Sequence, residues 1–544
     1  MSRIAVIAAV GVVTMLLARD PLHAQRPTSM AGRSTVYAPS GAVATSQPLA
    51  SAAGLEVLRQ GGNAIDAAVA AVLMSWVTES PLTGPGAGGF MLLHERGESR
   101  LLDFFVAAPG RGLERLEPVE LIPIDVHFSD DAVQVFNVGA SSCGAYGTPA
   151  GLAEVLERFG TAPMVELTAP AARAAREGVE VVPIQAYLHR ILGPIFLSTP
   201  ECAALYAPAG RLLEEGETIR LPEVGDLLDR LGTEGPAFLY EGDVAAAVSH
   251  WVLERGGLLT HEDLASYQVV ERAPARVRYG GREVLTNPPP SSGGILIADA
   301  LGILERLDHP HDAFVLAEVI ASTNRARDEE FLTGLATEGY LERFLAKDAL
   351  DNVATEVRSR LGNTTHIAVM DAEGGCASVT CSNGACSGIV VPGTGMHLNN
   401  MLGEQDLNPL GYHRHEPGAR VPSMMAPTVV LREGRPEVAL GSAGSNRIRS
   451  AIIQTVLGIL DHGLGAQEAV DRARIHVEDR DVDAEPGIDE SALLRLERSG
   501  FSVRRWAERN LFFGGVQAVA RSPESGELTG GGDPRRGGAA TVVD

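Results

Sequence analysis

The stretch RLGNTTHIAVMDAEGGCASVTCSNG, Arg360–Gly384, decides how this chain is read. Gly362-Asn363 favours an exposed turn, since glycine tolerates positive φ and asparagine bonds its neighbouring backbone. An alternating apolar run follows, HIAVMD, and then a second, CASVTCS; both have the texture of strands. A strand accounts for the alternation. It does not account for two adjacent hydroxyls, Thr364 and Thr365, at its start.

A threonine hydroxyl is a weak nucleophile until a base takes its proton. A chain that begins at threonine meets this need, because its free α-amine, with a reference pKa near 8, serves as the base. Cleavage of Asn363–Thr364 would create that amine. The Thr364 hydroxyl can make the cut by attacking the preceding carbonyl, giving an ester that water hydrolyses. Three downstream segments carry groups such a site needs. GSAGSNRIRS (Gly441–Ser450) sets a small-residue turn before a helix, where backbone N–H groups can stabilise an oxyanion. GMHLNNMLGEQDLNP (Gly395–Pro409) gathers Asn399, Asn400, Glu404 and Asp406, groups able to hold an amine or amide. RVPSMMAPT (Arg420–Thr428) adds Ser423. Each segment alone reads as a turn; their order after a Thr-Thr strand is the informative feature.

The 544 residues exceed one ordinary domain, and 45% hydrophobic with 21% charged residues describes a globular chain with a large core. A formal net charge of −24 argues against nucleic acid and anionic membranes as partners. Residues 1–24 have a basic start, an apolar stretch from Ile4 to Ala18 and a small residue, Ala24, at the end. That is the pattern of a secretory signal and implies a periplasmic or secreted protein, with no membrane span once it is removed. The alternative is a true start at Met30 and a cytoplasmic protein. Cys376, Cys381 and Cys386 repeat as C-x4-C-x4-C, but zinc sites favour tighter pairs and a fourth ligand, so buried strand residues are the expectation. His413-x-His415 lies in a polar loop and reads as a solvated pair. No metal or cofactor is expected.

Along the chain, SAAGLEVLRQGGNAIDAAVAAVLMSWVTES reads as two helices joined at Gly61-Gly62, with Asn63 as N-cap of the second. GPGAGGFMLLHERGESRLLDFF reads as a glycine-rich tight turn and a hairpin; no G-K-[ST] follows to make it a phosphate loop. The middle is mostly helical. ARVRYGGREVLTNPPPSSGGILIADALGIL offers strand, turn and helix, and Thr260 stands three residues before Asp263 as a capping box. After Thr364, strand-like and helical segments alternate, which suggests a layered α/β body.

These residues resemble the γ-glutamyltranspeptidase (glutathione hydrolase) family of N-terminal nucleophile hydrolases. GGNAIDAAVAA, GPGAGGFML, GTPAGLAEVLERFG, VVERAPARVRYGGREVLTNPPPSSGG, TTHIAVMDAEGGCASVT, PGTGMHLNNML and APTVV…GSAGSNRI occur in family order. The resemblance implies a four-layer αββα sandwich made by self-cleavage, with a large subunit 25–363 and a small subunit 364–544. It implies Thr364 as nucleophile supported by Thr365, Asn399 and Asn400, Ser382 as a second hydroxyl beside it, and Gly444 and Ser445 as the oxyanion hole. Glu404 falls where the family holds the donor's α-amino group, and Ser423 where it holds the α-carboxylate. The implied donor is glutathione or a related γ-glutamyl amide, and the acceptor an amino acid, peptide or water.

The departures concern recognition. Phe105 stands where the family has an arginine for the donor carboxylate. Met424 replaces a second binding serine, Met401 an amine-binding Gln or Glu, and Gly384 an asparagine. Asn383 is one position off and so belongs to the other face of a strand. Three readings stay open: a γ-glutamyl transferase or hydrolase, an amidohydrolase or acylase of the same mechanism with a different acyl donor, and an unprocessed binding protein.

Overall fold

The computed structural model describes residues 37–38, 40–114, 120–129, 132–307, 312–327, 329–335, 337, 339–345 and 364–543. The expected signal segment and Asn363 lie outside the described residues.

Alternation in the sequence becomes two stacked sheets. Before Thr364 their strands are β1 (Tyr37–Ala38), β2 (Gly41–Thr45), β3 (Gly88–Glu95), β4 (Glu98–Phe104), β5 (Val270–Arg272), β6 (Ala275–Tyr279) and β7 (Arg282–Thr286). After it come β8 (Thr365–Asp371), β9 (Cys376–Ser382), β10 (Thr428–Arg432), β11 (Arg435–Ala443), β12 (Gly515–Arg521), β13 (Leu528–Gly532) and β14 (Ala539–Val543). One seven-stranded sheet runs β1-β13-β12-β11-β10-β7-β6, the other β14-β2-β8-β9-β3-β4-β5. Both sheets draw strands from either side of Thr364, so a cut there would leave two chains sharing each sheet. Pairing is antiparallel, with Thr365 opposite Cys381 and Ile367 opposite Val379.

The strands face two cores. On β8, Ala368 and Met370 point between the sheets with Phe90, Leu285, Val429 and Val519. Ile367 and Val369 point the other way, toward helices α1 (Pro48–Arg59) and α2 (Ala64–Thr78). Helices α3 (Ser292–Leu304) and α4 (Arg447–Leu460) cover the outer face of the opposite sheet, against Val430, Val438 and Ala518. The layers are thus helix, sheet, sheet, helix. Each fully buried branched side chain contributes roughly 1.5–3 kcal/mol, and the alternation fixes the register, since a one-residue slip would exchange the faces.

Local signals hold where they were legible. Asn63 caps α2 in a capping box with Asp66, and Thr260 does the same with Asp263. The Asp371 carboxylate accepts from Gly375 N–H at 2.7 Å and from Ala64 N–H at 3.0 Å, tying the β8–β9 turn to the start of α2. The glycine-rich loop serves close approach: a Cβ on Gly89 would come within 2.4 Å of the Thr380 carbonyl oxygen. One expectation needs correction. The segment from Ala275 holds a hairpin, β6 and β7, before α3, where a single strand was expected. Among the described residues no helix is long and apolar enough to cross a membrane.

Candidate active site

Strand parity sets the site. Thr364 precedes β8 on the face that looks between the sheets, and Thr365 faces the helices. Thr364, Ser382, Glu404, Ser423 and Ser445 meet around one cavity of about 260 Å³, closed by Phe105, Met401, Met424, Met425, Leu407 and Ile448. Thr364 is only 5% exposed. Ser382 ends β9, and its Oγ accepts the Gly384 N–H at 2.7 Å.

The far wall is the turn between β11 and α4. Gly444 and Ser445 both have positive φ, 117° and 51°. Among the described residues neither N–H is donated to a backbone carbonyl. The Ser445 hydroxyl donates to Asp406 in a very short bond that holds the turn. Gly441 is required by the neighbouring sheet: a Cβ there would come within 2.3 Å of the His366 ring. His366 bonds Thr380 Oγ1 at 2.9 Å, and burial lowers its pKa to about 3, keeping the ring neutral.

Glu404 is buried, and its Oε1 has no hydrogen-bond partner among the described residues. Burial, reinforced by nearby Asp406, raises its pKa to about 8, so the free site holds it largely protonated near neutrality. Ser423 Oγ accepts the Met425 N–H at 3.0 Å, and its carbonyl accepts from the Ser292 N–H at 2.9 Å, which pins this segment before β10 to the start of α3.

Where the family pattern has an arginine, Phe105 is fully buried and stacked on Phe90. Among the described residues no arginine replaces it in the cavity wall. Arg420 is paired with Asp103 at 3.2 Å and lies over the Tyr267 ring. Arg447 donates to the Phe512 carbonyl at 3.0 Å, and Arg111 packs beside Gly418. Gly384, at φ 71°, has no room for the asparagine of the pattern: a Cβ would come within 2.0 Å of Asn400 Oδ1 and 2.5 Å of Glu404 Oε1.

Other expected site residues lie outside the cavity wall. Asn399 bonds the Gly86 and Gly144 carbonyls at 3.0 Å each, and Asn400 Oδ1 accepts the Ala385 N–H at 2.8 Å, so both staple loops. Asn383, just past the end of β9, is fully buried and sits against Gly84. His413 and His415 are half-buried rather than solvated, and burial lowers both pKa values. All five cysteines are buried free thiols; Cys376 and Cys381 are strand residues as expected, while Cys386 lies in a turn with φ 68°.

Two residues on the helix side went unread in the sequence. Thr365 Oγ1 donates to Glu79, lying 3.0 and 3.1 Å from its two carboxylate oxygens, and Arg536 Nη1 donates to the Thr364 carbonyl at 3.5 Å. These partners stand 286 and 172 positions away, and no spacing rule links them.

A two-sheet αββα sandwich with hydroxyls, a buried carboxyl group and an open N–H turn around one cavity defines an amidohydrolase of the N-terminal nucleophile hydrolase fold. Residues 50–543 match the Gamma-glutamyltranspeptidase family, and the chain belongs to it. It is 33% identical over 531 residues to the acylase ACY 1 proenzyme of Pseudomonas sp. (strain SE83), spanning 92% of this chain and 93% of that protein. It is 30% identical over 546 residues to the glutathione hydrolase proenzyme of Escherichia coli (strain K12), spanning 92% and 91%. A solved structure of cephalosporin acylase from Bacillus halodurans is similar in fold, with TM-score 0.82, 26% identity and coverage of 96% of this chain and 99% of that one. The activity common to this family and these relatives is hydrolysis or transfer at an acyl amide.

Proposed function

We propose that this protein is a self-processing amidohydrolase whose nucleophile is Thr364, acting on an acyl amide that lacks the charged head of a γ-glutamyl group. The observation that carries the reading is the cavity itself, where the hydroxyl residues Thr364, Ser382 and Ser445 share one space with Phe105, Met401 and Met424. Cleavage of Asn363–Thr364 frees the α-amine. The amine takes the Thr364 hydroxyl proton as Oγ attacks the donor carbonyl, and the N–H groups of Gly444 and Ser445 receive the oxyanion. The proton passes to the leaving amine, an ester remains on Thr364, and water or an amine acceptor releases the acyl group. Among the described residues the cavity wall offers no cation for a donor carboxylate, and charge-assisted bonds of that kind contribute roughly 1.5–3 kcal/mol each. The acylase relative at 33% identity supports the same choice.

A second reading, a γ-glutamyl transferase or hydrolase acting on glutathione, is favoured by Glu404 and Ser423 at the cavity. An ammonium beside Glu404 would favour its ionised form, and a neutral acyl chain would leave it protonated. Under either reading residues 1–24 direct export, and the two fragments of one precursor remain together.

The test is intact mass, then kcat/KM for γ-glutamyl, glutaryl and neutral acyl anilides. Two fragments, the smaller beginning at Thr364, and preference for a donor without the α-amino acid head support the proposal. A single uncleaved chain that turns over substrate removes it; strong preference for the γ-glutamyl anilide establishes the second reading.

A further inference from the structure

Behind Thr364, on the helix side of β8, lies a second cavity of about 380 Å³ bordered by Ser46, Gln47, Glu79, Gln185, Leu511 and Arg536. It does not belong to the acyl cavity, yet it carries two opposite charges within reach of the same two residues. Arg536 comes from the turn after β13 and holds the Thr364 carbonyl at 3.5 Å. Its Nε and Nη2 have no hydrogen-bond partner among the described residues. Glu79 closes the C-terminal end of α2 and accepts from Thr365 Oγ1, which also lies 3.3 Å from Ser46 Oγ.

We propose that Arg536 and Glu79, a buried pair of opposite charges flanking residues 364 and 365, set the protonation of the freed Thr364 amine: Arg536 favours the neutral form that can act as base, and Glu79 opposes it. The inference rests on the reading of Thr364 as an N-terminal nucleophile. Covalent geometry keeps the α-nitrogen of Thr364 within about 4 Å of its own carbonyl oxygen, so the guanidinium stands within roughly 7 Å of the amine. A like charge at that range, in a site screened from water, disfavours the ammonium. Burial lowers the Arg536 pKa to about 10, with Asp533 and Glu79 opposing the drop, and it stays cationic at neutral pH. Burial raises Glu79 to about 7, so its opposing charge weakens as the solution becomes acidic.

Among the described residues the other charged or titratable groups at this corner are Asp533 beside Arg536, Arg447 at the start of α4, Glu404 and Asp406 across the acyl cavity, and neutral His366 on β8. Arg536 is the cation bonded to Thr364 itself, and Glu79 the carboxylate bonded to its neighbour. Both are positioning residues, since neither touches the Thr364 hydroxyl in this structure.

The experiment measures the rate of Thr364 acylation by p-nitrophenyl acetate against pH, read as mass gain on the peptide beginning at Thr364. Arg536→Met should move the acid limb up by about one pH unit and Arg536→Lys should leave it in place. Glu79→Gln should move it down, and the double variant should return it near the wild-type position. Opposite shifts that cancel are not expected of residues that only support packing. Superimposed limbs, or single variants that shift the same way, overturn the proposal. Should Arg536→Met fail to mature, Glu79→Gln decides: an unmoved or raised limb overturns it. A wild-type chain that is uncleaved, or unlabelled at Thr364, removes both this inference and the reading beneath it. A cleaved and labelled chain with superimposed limbs removes this inference alone.

Discussion

Phe105 stacks on Phe90 with ring centroids 5.2 Å apart and planes 18° from parallel, and Phe105 borders the space beside Thr364. The stack extends the inter-sheet core into the place where the family pattern puts a cation. Phe105→Arg should lower Tm, because it removes the stack and buries a charge. It should also raise kcat/KM for a γ-glutamyl anilide relative to a neutral acyl anilide by about tenfold or more, the worth of one charge-assisted bond. An unchanged ratio in a folded, cleaved variant would count against the apolar wall as the source of selectivity.

Thr364→Ala should leave one chain by intact mass, while Thr364→Ser should still mature, more slowly, because a primary hydroxyl can attack the same carbonyl. Thr365→Ala should mature and take up an acylating label at residue 364. Label retained in Thr364→Ala and lost in Thr365→Ala would reverse the assignment of the two hydroxyls.

Gly441→Ala should destabilise the protein by on the order of 1–3 kcal/mol, the usual cost of overpacking. Its Cβ has nowhere to go but the His366 ring, which is itself held by Thr380. Thermal melts of wild type and variant check this. Equal Tm values would mean the two sheets separate more readily than the fully buried inter-sheet core implies.

Asp299, on α3, is buried with no hydrogen-bond partner on either carboxylate oxygen among the described residues, and burial raises its pKa to about 7. The folded state therefore holds this proton more tightly than the unfolded chain, whose aspartates titrate near 3.9. Stability from this group is fully present below about pH 4 and is lost as pH rises through about 7. Asp299→Asn should match wild type near pH 4 and exceed it at pH 8 by on the order of 3 kcal/mol. Melts at both pH values measure the difference, and an equal gap at the two would show that ionisation is not its cause.

Much of the local structure was legible. Asn63 and Thr260 announced their helices, because a cap uses a side chain and a backbone N–H only three residues away. The strands flanking Thr364 were visible for the same reason: alternation is a property of neighbours. The hairpin β6–β7 was partly hidden, since Gly280-Gly281 separates two short runs that read as one strand and a turn.

By itself the sequence singled out Thr364, Ser382, Glu404, Ser423 and Ser445, through segments whose order matches one family from Gly61 onward, and it put Phe105 where that family's pattern has an arginine. Only the tertiary structure decided that, among the described residues, no other arginine lines that gap, since Arg420 and Arg447 are engaged by Asp103 and Phe512. It also decided that Gly384 leaves no room for a side chain, and that Glu79 and Arg536 stand behind the Thr pair. These are contacts between residues 16 to 317 positions apart, from Asn400 beside Gly384 to Arg420 on Asp103. Periodicity reports which face of a strand a residue occupies. The identity of what packs against that face is set by how two sheets and their helices close on one another, and no local rule encodes it.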